Sequence, residues 1–105
     1  FHNMVQINDS ETNDLVLLQQ LINFGSKGDL EKIKGLDGKI DFNKSDYDKR
    51  TTLHLASSEG HLNVVQYLLD KGVNKDVKDR WGNTPLSEAK NKDGANYEEI
   101  CKLLN

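Results

Sequence analysis

The sequence predicts an all-α solenoid, about two and a half to three helix–turn–helix units stacked side by side with hairpin-like loops between them. Two observations carry the prediction. The first is a period: Asp46, Thr51, Leu53 and Ala56 recur as Asp79, Thr84, Leu86 and Ala89, each 33 residues on (86 − 53 = 33). The second is the spacing of apolar residues. Leu53 and Ala56, then Leu62, Val65, Leu68 and Leu69, recur at steps of three and four, which gives each of two short helices one apolar face.

Taken in order, residues 1–13 read as a flanking segment, in which Phe1 to Asn3 precede Met4 and look vector-derived. Residues 14–105 read as a single domain: a divergent repeat at 14–45, a regular repeat at 46–78 and a C-terminal repeat at 79–105. The run DLVLLQQLINF, residues 14–24, predicts a longer first helix with Asp14 as its N-cap. Downstream of it, Leu21, Phe24, Gly28, Leu30, Ile33 and Leu36 anticipate Leu53, Ala56, Gly60, Leu62, Val65 and Leu68 by 32 residues (53 − 21 = 32). Thr51 and Thr84 are placed to cap the next two helix pairs, and Pro85 sits at a first helical position, where its missing N–H costs nothing. Gly60 separates the two helices of the regular unit and Gly72 closes the second. The polar run from Val73 to Asn83 suits an extended finger. In the last unit Val65, Leu68 and Leu69 match Ile100, Leu103 and Leu104 at a spacing of 35 (100 − 65 = 35), so the turn KNKDGAN carries two extra residues. Helices this short are marginal in isolation, so stacking of units must hold them.

Composition narrows the function. The chain has 105 residues, 14 basic against 17 acidic, a net charge of −3 and both signs interleaved. No basic face for nucleic acid or an anionic membrane is visible. The single cysteine, Cys101, forms no internal disulfide and fits an intracellular, cytoplasmic setting. In that setting the Asn-x-Ser sequons at Asn8 and Asn43 read as chance.

The unit T-P-L-x-x-A (Thr84, Pro85, Leu86, Ala89), with T-x-L-H-x-A and E-G-H (Thr51, Leu53, His54, Ala56, Glu59, Gly60, His61), resembles the ankyrin repeat. Three departures stand out: Thr52 where the family has Pro, Ser87 where it has His, and an upstream copy without the capping Thr. The resemblance implies antiparallel helix pairs joined by fingers and a role in binding other proteins, without chemistry of its own. Within that family the order GDLEKIKGL, DYDKRTTLHLASSEGH, KDRWGNTPLSEA looks like the C-terminal ankyrin region of glutaminases, and RWGNTPL also looks like segments joined to plant kinases. The alternative function is therefore a regulatory or assembly domain of a glutaminase-like enzyme, whose catalytic domain this chain lacks.

The resemblance also assigns roles. His54 would bond between neighbouring units, and His61 would tie the second helix to the adjacent loop. Contacts with a partner, either another protein or another domain of the parent chain, would come from Tyr47, Asp48, Arg50, Ser58 and Glu59 in the regular unit and Arg80, Trp81 and Asn83 in the last. Trp81 stays open between packing on the neighbouring finger and meeting a partner. Ser87-x-x-Lys90 fits a serine-nucleophile pattern, yet no partner motif accompanies it, so a structural role is the better reading. Cys101, at the helical spacing of Ile100 and Leu104, reads as a small hydrophobe. No cofactor or metal site is expected.

Overall fold

In a computed structural model, residues 9–105 are described, with side chains from Asp14 onward. Six helices follow one another: α1 (Asp9–Lys27), α2 (Leu30–Lys34), α3 (Thr52–Glu59), α4 (Leu62–Asp70), α5 (Pro85–Lys90) and α6 (Ala95–Leu104). They form two layers. In one, α1 packs on α3 and α3 on α5; in the other, α2 packs on α4 and α4 on α6. The stack measures 53 × 29 × 21 Å. No helix among the described residues is long and apolar enough to cross a membrane.

One core runs the length of the stack. Leu21, Ile33, Leu53, Ala56, Val64, Val65, Leu68, Ala89 and Ile100 are fully or almost fully buried, and they come from every helix. The period-33 apolar positions are therefore the core positions, as the spacing predicts. Gly25 sets how closely α1 and α3 approach. A Cβ there would lie 2.3 Å from Thr52 Cγ2, an overlap that only glycine avoids. Thr51 and Thr84 cap α3 and α5 by accepting the N–H of His54 and of Ser87. Gly60 and Gly72 take left-handed backbone angles at the ends of α3 and α4.

The start of α1 corrects one expectation. Asp14 is not its N-cap; the helix already runs from Asp9, so no break falls between residues 13 and 14. The physical reason is the missing threonine. The two later inner helices each begin at a capping Thr in extended conformation. The 32-residue offset puts Gln19 at that place in the first unit, and a good helix former there lets the helix continue toward the N-terminus.

The long loops on the outer side also interlock. The Asn74 N–H donates to Asn43 Oδ1 at 2.7 Å, and the rings of Phe42 and Tyr67 lie 6.1 Å apart, tilted. Lys71 pairs with Asp37, and that hydrogen bond holds its ammonium above the ordinary lysine pKa.

Candidate protein-interaction surface

Two fingers project from the stack, at residues 46–50 and 79–83, and one local code builds both. In the first, Asp46 Oδ1 accepts the N–H groups of Asp48 and Arg50, each at 2.9 Å, while the Asp46 N–H reaches back to the Arg50 carbonyl. In the second, Asp79 Oδ1 accepts from Trp81 and Asn83, each at 2.9 Å, and the Asp79 N–H donates to the Asn83 carbonyl. A short acidic side chain that bonds the backbone two and four residues on is what this tight turn requires. Among the described residues the fingers pair as strands only at the isolated bridge Ser45–Thr51.

Behind each finger stands a capping box. At α3 the Thr51 N–H donates to His54 Nδ1 at 3.1 Å, and the other ring nitrogen, Nε2, lies 2.8 Å from the Asn83 carbonyl. That pair of bonds fixes the neutral tautomer with hydrogen on Nε2, so His54 caps its own helix and holds the next finger together. At α5 the shorter Ser87 closes only the local box: Oγ accepts from the Thr84 N–H and donates to the Thr84 carbonyl, both at 2.8 Å. The hydroxyl of the Ser87-x-x-Lys90 pattern is thus engaged in a helix cap. His61 Nε2 lies 2.8 Å from the Ser26 carbonyl, which joins the start of α4 to the last turn of α1.

The residues expected to meet a partner divide into two groups. Tyr47 is 92% exposed and Trp81 62% exposed, the two most prominent aromatic groups on the fingers. Glu59 is exposed at the end of α3. The others are partly engaged with neighbouring units. Arg80 donates to Asp48 Oδ1 at 3.1 Å, and its own N–H donates to the Asp48 carbonyl, so these two residues join the fingers. Arg50 reaches Glu88 at 3.7 Å, with both side chains largely buried. The Asn83 backbone serves His54 and Asp79 while its side chain stays exposed. The Ser58 carbonyl accepts from Lys92 Nζ at 2.8 Å and from Tyr97 Oη at 3.0 Å. Trp81 carries the Arg80 guanidinium over its ring, 5.4 Å from the centroid.

Sequence reasoning missed a groove. It is an open concavity of about 980 Å³ between α1 and the first finger, with Leu15, Val16, Leu18, Ile22, Leu55 and Tyr47 as its apolar lining among polar residues of α1 and Asp46. A signal for it was present: Leu15, Leu18 and Ile22 recur at helical spacing on a different face of α1 from Leu17, Leu21 and Phe24, which pack on or in the core. Two apolar stripes on one helix leave one of them uncovered.

Known proteins place this architecture. Residues 4–105 match the family model described as ankyrin repeats, three copies. The chain is 48% identical over 66 residues to the mitochondrial liver isoform of glutaminase from Rattus norvegicus, covering 62% of this chain and 10% of that protein. It is 46% identical over 71 residues to serine/threonine-protein kinase 12 of Arabidopsis thaliana, covering 67% of this chain and 16% of the kinase. It is 45% identical over 80 residues to the Arabidopsis potassium channel SKOR, covering 75% and 9% respectively. The chain thus spans a small fraction of the curated relatives it matches, and the matched stretch recurs beside quite different activities. The stacked helix pairs, the two capping boxes and the family match together establish that this chain belongs to the ankyrin-repeat family.

Proposed function

We propose that the chain is a non-catalytic protein-interaction module, with its working surface on the two fingers and the adjoining end of α3. Ankyrin repeats mediate protein–protein contacts, and the one observation that carries the surface assignment is the exposure of Tyr47 and Trp81 on successive fingers of a rigid stack. Aromatic and arginine side chains are the usual anchors of interfaces, and here Arg80 is pre-ordered between Asp48 and the Trp81 ring. Tyr47, Trp81 and Glu59 make direct contacts in this reading; Asp48, Arg50, Ser58, Arg80 and Asn83 shape the surface and add polar contacts at its edge. The module works inside the cell, against another protein or another domain of its parent.

The test is affinity capture followed by titration of each recovered partner. Trp81→Ala is expected to weaken binding by about 2 kcal/mol while the melting temperature stays within a degree or two. Gln66→Ala, an exposed position on α4, should leave both unchanged. Unaltered affinity in folded Trp81→Ala protein would remove the fingers from the interface.

A second reading, an assembly or regulatory domain of a glutaminase-like enzyme, draws on the 48% identity over 66 residues to rat liver glutaminase. The parent reading frame decides it. An amidohydrolase domain upstream of Met4 would support it, and any other catalytic or channel domain there would exclude it.

A further inference from the structure

The longer turn of the last repeat contains a dipeptide, Asp93-Gly94, with a chemistry that its counterparts lack. In the corresponding turns the first unit has Lys27-Gly28 and the regular unit Glu59-Gly60. An aspartyl carboxyl before a glycine closes a five-membered ring on the next backbone nitrogen, and glycine has no Cβ to hinder the approach. A lysine has no carboxyl to offer, and a glutamyl carboxyl would have to close a slower six-membered ring. In the regular unit the nitrogen is also engaged, since the Gly60 N–H donates to the carbonyls of Ala56 and Ser57.

The surroundings leave the last turn open to this reaction. Asp93 and Gly94 are both exposed, and among the described residues neither the Asp93 carboxylate nor the Gly94 N–H takes part in a hydrogen bond or ion pair. The residues on either side are anchored. Lys92 Nζ and Tyr97 Oη donate to the Ser58 carbonyl at 2.8 and 3.0 Å, and Asn96 Nδ2 donates to the Gly60 carbonyl at 3.3 Å. Asp93-Gly94 is thus the unbonded span of a turn tied at both ends to the end of α3.

A second pair, Asp37-Gly38, is an internal control. It is exposed as well, but the Asp37 carboxylate is paired with Lys71, and the Asp37 and Lys39 N–H groups close turns on the carbonyls of Lys34 and Leu36. The carboxyl must leave Lys71 before it can turn on the Gly38 nitrogen. At the strength usual for exposed ion pairs this alone slows the step by up to about fivefold, and the turn adds to it.

We propose that Asp93-Gly94 is a site of spontaneous succinimide formation and conversion to isoaspartate. The Gly94 nitrogen attacks Asp93 Cγ, the new C–N bond replaces a C–O bond, and the amide proton leaves with the carboxyl hydroxyl as water. Water then adds to a ring carbonyl and reopens the ring. Attack at the main-chain carbonyl, the more electrophilic of the two, breaks its bond to nitrogen and leaves Gly94 joined through Cγ. One water is lost and one gained, so mass and oxidation state are unchanged. The product has an extra methylene in the main chain between the Lys92 and Asn96 ties, which loosens the start of α6.

The test is peptide mapping of the full chain after several weeks at neutral pH and body temperature, with electron-transfer fragmentation to tell isoaspartate from aspartate. A guanidinium-unfolded sample kept in parallel gives the intrinsic rate of each pair. In the folded chain isoaspartate is expected at residue 93, with Asp37 converting several-fold more slowly. Lys71→Ala should raise conversion at Asp37 and leave that at Asp93 unchanged, whereas Asp93→Glu should abolish conversion in the last turn. Unconverted Asp93 in the folded chain, under conditions that convert the unfolded sample, would overturn the proposal, as would conversion of Asp37 at the rate of Asp93. Hydrogen exchange on the two separated forms reads the consequence: the first amides of α6 should exchange several-fold faster in the isoaspartyl form, and equal protection would refute the loosening. None of these readouts involves a binding partner, so the interaction-module reading stands or falls separately.

Discussion

The regular repeat and the C-terminal repeat share a turn code and a capping code, and they differ on the side that faces the next unit. At matched positions the regular repeat has His54, Ser57, Val64 and Leu68, all fully buried. The last repeat has Ser87, Lys90, Glu99 and Leu103, and none of these is fully buried. Substitutions that look like decay of a repeat in the sequence are therefore concentrated on the face of α5 and α6 against which no other described unit packs, and they make that face more polar than its counterpart in the regular repeat. Divergence in the first repeat has another character: loss of a cap lengthened a helix and left an apolar stripe uncovered.

The largest break in this comparison is expected at Leu68. It is buried between helices, so Leu68→Ala should cost about 2 to 5 kcal/mol and unfold the stack in one transition. Leu103→Ala, at the half-buried counterpart, should cost about half as much or less in a urea titration. Equal losses would mean that the two outer helices are equally enclosed. Next comes the pair of boxes. His54→Ala strands the Thr51 N–H and removes the bond from α3 to the Asn83 carbonyl, which keeps its bond from the Asp79 N–H, and should cost about 1 to 3 kcal/mol. Ser87→Ala removes only a local cap and should cost about 1 kcal/mol. Hydrogen exchange sharpens that contrast: His54→Ala should unprotect the second finger, 29 residues away in sequence, whereas Ser87→Ala should leave the first untouched.

The smallest effects concern the finger backbones. Lys49 holds a positive φ of 62° where its counterpart Gly82 has 83°. A left-handed conformation costs a side chain about 1 to 2 kcal/mol, offset in part by the extra freedom that glycine brings to the unfolded chain. Gly82→Lys should thus destabilise by about 1 kcal/mol, and Lys49→Gly should stabilise by about 0.5 kcal/mol, both read by thermal melts. A destabilised Lys49→Gly protein would show that the lysine side chain holds the finger by a contact that outweighs its backbone strain.

Much of this was legible beforehand because the responsible interactions are local. Thr51, Thr84 and Pro85 mark helix starts through bonds that span three residues, and Gly60 and Gly72 mark helix ends the same way. The repeat also locates its own core, since Leu53, Ala56, Val65 and Leu68 recur where inward-facing positions must. The limit of α1 was not legible because Asp14 has a capping side chain, while no glycine or proline stands just before it to end the helix there. The groove was not legible because, within residues 14–24, the repeat supplies counterparts only for Leu21 and Phe24 and so says nothing of where Leu15, Leu18 and Ile22 face.

The sequence by itself determined the repeat, its caps, its core stripe and its family, all of which follow from short-range chemistry repeated at a fixed period. Only the tertiary structure decided which candidate contact residues stay free. Arg50 and Asp48 look as available as Tyr47 in the sequence, yet Glu88 and Arg80 engage them from the next repeat. Tyr47 has no such neighbour and stays 92% exposed. The partners of Asp48 and Arg50 lie more than thirty residues away in sequence (80 − 48 = 32; 88 − 50 = 38), and stacking of one unit on the next is what brings them within reach.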